Sequence, residues 1–175
     1  EAMRAAFTTG ADIHTATAAQ VFHVVPGDVT HEMRRRAKAV NFGIVYGISA
    51  FSLSQDIGVT VAEAKAYMEA YFATFPGVRK YMDDVVAKAR EQGYVETLFH
   101  RRRELPEIRS SNFNMRSFGE RVALNMPIQG TAADIMKLAM VAVEKRLKKE
   151  LPEAKLVLQV HDELIVECPV KEAEQ

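Results

Sequence analysis

Between Thr30 and Gly47 the chain lays two separate stripes along a single helix, and no other stretch constrains the molecule as much. With Arg34 set at zero and about 100° per residue, Lys38, Phe42 and Tyr46 fall at about 40°, 80° and 120°. Met33, Ala37, Val40, Ile44 and Ile48 gather instead between roughly 240° and 320°. A helix capped by Thr30 and running to about Ile48 therefore already has an apolar face for a core. Its other flank carries two cations and two aromatic rings at four-residue spacing. Cations four residues apart repel each other. A solvated charge run accounts for the arginines, and an aromatic at helical spacing ordinarily faces a core, but these rings lie nearly opposite the core face. A polyanion bearing a flat group resolves both costs. Arg34 supplies a fork and Lys38 a point charge for phosphate, and Phe42 supplies a surface for a base or sugar. The stripe reads as a nucleoside triphosphate laid along a helix.

Helical period governs most of the remaining chain. Asp12–Phe22 reads as a short helix with a polar start, followed by a turn at Pro26 and Gly27. Thr60 and Glu63 form a capping box for a helix reaching Phe75, and Pro76 suits the first turn of another that ends at Gly93. Tyr94–Phe99 is strand-like, with Arg101 and the residues after it pairing back. From about Asn112 to Glu150 the pattern is helical, and Pro127 with Gly130 predicts a kink or two consecutive helices. The segments KLVLQV and ELIVEC, separated by His161 and Asp162, read as a tight hairpin of two apolar strands. The fold class expected is α+β, predominantly α-helical, with a small antiparallel component.

Composition narrows the partners only weakly, since 23 basic and 23 acidic residues cancel. The charge is clustered instead, with basic groups at 34–38 and 101–103. A single cysteine, Cys168, argues against a disulfide framework and fits a reducing compartment such as the cytoplasm. No apolar run approaches ~20 residues, so no membrane span is expected. The chain opens without an initiator methionine and stops just after a strand-like segment. It reads as a piece of something longer.

A second constellation is Gln159–Glu167, where Asp162 and Glu163 are adjacent acids at the tip of the apolar hairpin. Neighbouring carboxylates repel, and a place beside a buried sheet raises the cost of ionising them. Acids in hairpin turns are common for structural reasons alone. A hard divalent cation would offset the repulsion, since Mg²⁺ takes one or two protein carboxylates together with substrate phosphates. A third row, Arg121, Asn125 and Gln129, is spaced by four on an otherwise apolar helix. It serves either as a polar seam for neighbouring backbone or as hydrogen-bonding groups facing a nucleic-acid groove. Minor-groove contacts suit a protein that must accept any base pair while sensing its shape.

MRRRAKAVNFGIVYG resembles motif B of the family A DNA polymerases, where this segment is the long helix of the fingers subdomain. The resemblance implies that Arg34 and Lys38 bind the triphosphate, with Lys38 counted among the catalytic groups. It implies that Phe42 packs on sugar and base, and that Tyr46 sits at the template base. QVHDELIVE resembles the same family's motif C in a palm hairpin. There Asp162 would be the metal ligand, Glu163 a supporting acid and His161 a positioning group near the primer end. RVALNMPIQGTAADIMKLAM resembles the family's palm helix, with Arg121, Asn125 and Gln129 contacting primer-template. DIHT, with His14, resembles a segment that helps hold the triphosphate, and Arg35 joins the DNA-binding set. TLFHRRR departs from the family's TLFGRRR at His100, where Gly would tolerate φ > 0 more readily. Arg101 to Arg103 are candidates for phosphate contacts.

The resemblance spans nearly the whole chain and implies template-directed transfer of a nucleotide from dNTP to a primer 3′-hydroxyl, in replication and repair. The reaction needs two Mg²⁺ ions, bridged in the family by an acid of motif A, a DYSQIELR-like stretch for which no match occurs here. The second carboxylate ligand, the thumb and the closing palm segment are therefore expected to be missing, and the chain alone to be inactive. The expected division is a fingers subdomain at 1–98 and a partial palm at 99–175. An incomplete sheet would leave edges that invite non-native self-association. Two alternatives stand beside this reading. One is a phage-type single-subunit RNA polymerase, which shares the Arg-x-x-x-Lys and Tyr-Gly pattern. The other is a helical nucleic-acid-binding module without chemistry.

Overall fold

The structure is a computed structural model and describes residues 2–174. Six helices come first: α1 (Ala2–Thr8), α2 (Ile13–Val21), α3 (His31–Val45), α4 (Ala50–Ile57), α5 (Val61–Thr74) and α6 (Pro76–Gln92). Two short strands, β1 (Tyr94–Glu96) and β2 (Arg102–Glu104), pair with each other. The long helix α7 (Phe113–Glu150) leads into the antiparallel hairpin of β3 (Lys155–Val160) and β4 (Glu163–Glu167). Mostly helical α+β is the class observed.

Two compact units divide the chain. The first takes the residues up to Val95 together with Arg102–Met126. In it α2 packs on α3 and α5, and α4 packs on α3 and α5. The apolar face expected of α3 is the one that is buried: Ala37, Val40 and Ile44 are almost wholly withdrawn from water. Val40 and Ile44 share a core with Leu53, Ile57, Tyr71, Phe72 and Phe75. The capping box of α5 forms as read, with Thr60 Oγ1 accepting from Glu63 N and the Glu63 carboxylate accepting from Thr60 N. A second core joins Ala89, Val95, Leu105, Ile108 and Ala123. Gly119 lets α7 approach closely there, because a Cβ at that position would lie 2.8 Å from Ile108 N and 2.9 Å from Ile108 Cα. Arg109 closes the end of α6 by donating from Nε to the Arg90 carbonyl at 2.8 Å, and from Nη2 to that of Glu91.

The second unit comprises Glu96–Arg101 and the chain from Pro127 onward. Buried Thr97 organises its turn, accepting at Oγ1 from Phe99 N and Arg101 N. Thr131 Oγ1 accepts from Leu98 N, and the Arg101 guanidinium pairs with buried Asp134. His100 sits at φ 61°, the left-handed conformation that the family's usual glycine would allow, reached here by a residue with a Cβ.

Three expectations need correction. Helix α3 stops at Val45 rather than at about Ile48, because Gly47 turns left-handed at φ 69°. Gly47 N donates to Ile44 O and Ile48 N to Gly43 O, the paired bonds of a Schellman ending. Pro127 does not divide the later pattern into two consecutive helices, since α7 runs as one element with the proline inside. Ala123, whose carbonyl would have bonded residue 127, is fixed in the second core. Finally, the acid-bearing hairpin is not a buried sheet: β3 and β4 are mainly exposed, and Asp162 and Glu163 lie in water. The burial argument for their mutual destabilisation therefore fails.

Candidate functional site

Helix α3 is anchored at its start by Thr30, whose Oγ1 accepts from Met33 N at 3.2 Å. Glu32 in the first turn then claims two of the three arginines. Arg35 grips it with Nε and Nη2, both at 2.7 Å, and Arg36 adds Nε at 2.9 Å. Hydrogen bonds from Arg35 and then Arg36 hold the Glu32 carboxyl at about 2. Arg34 turns the other way, toward the start of α2. Its Nε donates to Asp12 Oδ2 at 2.6 Å and its Nη2 to Asp12 Oδ1 at 3.3 Å. This side-on pairing leaves Nη1 and one N–H of Nη2 for another acceptor, because a guanidinium carries five donors in a fixed plane. Asp12 also accepts from His14 N and from the Thr15 hydroxyl. The Arg34 and Thr15 bonds, in that order, hold its carboxyl well below the usual carboxylate range.

The flank beyond Arg34 faces outward, as the wheel requires. Lys38 is exposed, Phe42 keeps 48% of its surface and Tyr46 keeps 44%. Lys38 Nζ lies 5.8 Å from the Phe42 ring centre. The His14 and Phe42 ring centres are 5.7 Å apart at an interplanar angle of 42°. Buried behind them, Asn41 bonds the Thr17 hydroxyl through Oδ1 at 3.1 Å and His14 Nδ1 through Nδ2 at 2.9 Å. Burial first, then the charges of Arg34 and Lys38, lowers the His14 pKa against the opposing pull of Asp12. Tyr46 caps α3 rather than extending it, so the stripe continues past the last helical residue. Gly47 follows, and a Cβ there would lie 3.2 Å from Arg121 Cγ and from Leu124 Cδ1. These residues border an open cleft of about 620 Å³, lined among others by Phe42, Tyr46, Ser52 and Arg121.

The remaining expected residues divide between the units. Arg121 and Asn125 belong to the first and Gln129 to the second. Arg121 is exposed, whereas the Asn125 amide nitrogen is buried with no hydrogen-bond partner. In the second unit Val160 pairs with Glu163, so His161 and Asp162 form a two-residue turn. His161 takes φ 52°, the positive value such turns favour at their first central position. Gln159 Nε2 donates to its carbonyl at 3.0 Å. Asp162 and Glu163 offer hard oxygens to solvent, yet among the described residues no group of three or more His, Cys, Asp or Glu could hold a metal ion. The chemistry of the donors suits Mg²⁺, and their number does not complete a site.

Sequence reasoning missed Asp12, Thr17 and Asn41. Asn41 had a visible signal: it falls at about 340° on the α3 wheel, beside the apolar stripe. An amide there needs a partner, which only the packing of α2 on α3 identifies. Buried Asp134 was equally unmarked.

The cation-and-ring helix flank thus lies in one unit and the acid-tipped hairpin in the other. The model of DNA polymerase family A matches residues 1–175, and the chain belongs to that family. It is 59% identical over 170 residues to DNA polymerase I of Geobacillus stearothermophilus, covering 97% of this chain and 19% of that protein. It is 57% identical over 169 residues to DNA polymerase I of Bacillus subtilis, again covering 97% of this chain and 19% of the relative. Among solved structures, the POL domain of Pol1 from M. smegmatis, in complex with DNA primer-template and dNTP, superposes with a TM-score of 0.89. That match has 48% sequence identity and covers 97% of this chain and 30% of the other. The chain thus spans about a fifth of the length of these curated relatives. No described helix is long and apolar enough to cross a membrane.

Proposed function

We propose that these residues serve template-directed DNA synthesis, binding the incoming dNTP on the α3 flank and supplying one carboxylate turn to the metal site. The observation that carries this reading is the outward flank of α3. Arg34 is held side-on by Asp12 with donors to spare, Lys38 is exposed, and the Phe42 ring lies 5.8 Å from Lys38 Nζ and 5.7 Å from the His14 ring. Family membership over the whole chain supports it. Residues 1–98 would form the fingers and 99–175 part of the palm.

In this account Arg34, Lys38 and His14 hold the triphosphate, and Lys38 offsets charge that develops on the phosphates during transfer. Phe42 takes sugar and base, and Tyr46 borders the template base. Arg35, Arg121, Asn125, Gln129 and His161 contact primer-template. The 3′-oxygen of the primer bonds to the α-phosphorus, the bond to the bridging oxygen breaks, pyrophosphate leaves, and the primer hydroxyl loses its proton. Mg²⁺ would activate that hydroxyl and neutralise the leaving group. Asp162 would hold it with Glu163 in support, and at least one further acid must come from outside the described residues. The chain by itself is therefore inactive.

Lys38→Ala in the full-length protein tests the reading. The expected result is a fall in kcat/KM for dNTP on the order of 10²-fold with primer-template affinity kept. Equal losses in dNTP use and DNA binding, or template-directed product from the chain alone with Mg²⁺, would overturn it.

A further inference from the structure

Behind the outward flank lies a polar chain that the transfer reaction does not by itself require. Thr17 is fully buried, Asn41 retains 9% of its surface, and both sit between α2 and α3 in the first unit. Buried amides and hydroxyls are retained where every group finds a partner. Here the Thr17 hydroxyl donates to Asn41 Oδ1, and Asn41 Nδ2 reaches His14 Nδ1 at 2.9 Å. An amide nitrogen can only donate, so Nδ1 must accept, and the ring's proton is left on Nε2. We propose that Thr17 and Asn41 form a buried relay that locks His14 as a neutral imidazole with its proton on Nε2.

The relay does two things at once. It selects a tautomer, as the partner of one ring nitrogen generally does for the other. It also opposes protonation, since a cationic ring would set Nδ1–H against the amide's own N–H groups. The charged groups that reach His14 are Asp12 on its own helix and Arg34 and Lys38 on α3. Asp12 favours the cation, while the two basic groups and burial oppose it. A neutral donor beside two fixed cations adds direction without adding repulsion. Resting on the nucleotide reading above, the Nε2–H is a directional donor to a phosphate oxygen of the dNTP, and Asn41 and Thr17 are positioning residues for it. The orientation of the Asn41 amide carries the inference: with Oδ1 accepting from Thr17, it is the amide nitrogen that faces the ring.

The test is nitrogen-15 NMR of the full-length protein labelled at histidine, with His14→Gln to assign the resonance. At pH 7 the wild-type ring should be a single neutral tautomer protonated on Nε2. In Asn41→Asp the carboxylate accepts from Nδ1–H instead, so the proton should move to Nδ1 and the ring's titration should rise by about one unit or more. The KM for dNTP should then rise about tenfold with DNA affinity unchanged. A wild-type ring protonated on Nδ1, or charged at pH 7, overturns the relay, and this readout needs no variant to fold. The Nε2–H tautomer with resonances unmoved by dTTP would leave the relay standing and count instead against nucleotide binding on this flank.

Discussion

Val40, Ile44, Leu53 and Tyr71 keep at most 2% of their surface in the first unit, whereas Leu138, Val157, Leu158 and Ile165 keep between 46% and 57% in the second. Both sets are apolar residues on regular elements, so propensity does not separate them. What separates them is company. Helices α2 to α5 close on one another, while the β3–β4 pair has, among the described residues, no third strand beside it. The chemistry follows the same division. On α3 the arginines arrive with their counter-anions, Asp12 and Glu32, and His14 arrives with a buried amide. At the hairpin Asp162 on the two-residue turn and Glu163 at the start of β4 stand exposed. The first unit supplies partners for its own charged side chains, and the second leaves the acids of its hairpin exposed among the described residues.

The sharpest way to break that contrast is Asp162→Ala in the full-length protein. If the turn supplies a metal ligand, primer extension falls on the order of 10³-fold or more, because the charge stabilisation from the ion is worth several kcal/mol. Titration of the inactive variant with dNTP and with primer-template should find both affinities roughly kept, since α3 lies in the other unit with its own counter-ions. Substantial residual extension would make the hairpin a structural feature and remove the chemistry from this half.

Acid provides a smaller lever, and Glu32 in the first unit is where it can be read. The Glu32 carboxyl is held at about 2 in the folded state, against an ordinary value of 4.5. A depressed carboxylate contributes stability that is fully present above its unfolded pKa and lost as pH falls through the folded one. The Glu32 contribution is therefore complete above 4.5 and disappears towards about 2. Urea midpoints for wild type and Glu32→Gln should differ slightly at pH 6 and converge by pH 2. The gap should also shrink in high salt, since the pair is exposed. A gap independent of pH would mean that Glu32 acts through packing and not through its charge.

The helices, caps and hairpin were legible because each is a local matter. Thr60 with Glu63, Pro76 and the two-residue gap before Glu163 declare themselves within a few positions. The outward flank of α3 was legible for the same reason, since one wheel shows both its faces. The Schellman ending at Gly47 was also local, yet the apolar period through Ile48 concealed it, as Ile48 still packs against the core after the helix has stopped. Asp12 and Asn41 were not legible as partners because their hydrogen bonds span 22 and 27 residues. Nothing short of the α2–α3 packing brings them together. The exposure of the hairpin was hidden for the opposite reason: a short run of Val, Leu and Ile reads as buried whether or not a neighbour is present to bury it.

The smallest effect separates two histidines that share one unusual backbone state. His100 at φ 61° and His161 at φ 52° both occupy the left-handed region, where a Cβ is crowded against the following carbonyl. Relief of that crowding by glycine is opposed by the greater freedom glycine gives the unfolded chain. His100→Gly and His161→Gly should therefore each raise stability by about 1 kcal/mol or less, read as a rise in Tm. Activity should divide them. The turn at His100 is fixed by Thr97 and Thr131 without use of the imidazole in those bonds, so extension should be unchanged. His161 directly precedes the proposed metal ligand in the turn, and removal of its ring should slow extension several-fold despite the stability gained. Strain kept at a position where glycine would be more comfortable, and where glycine costs activity, is the signature of a side chain retained for what it touches. If both variants gain stability and neither loses activity, His161 is only a turn residue, and the second unit's contribution contracts to its carboxylates.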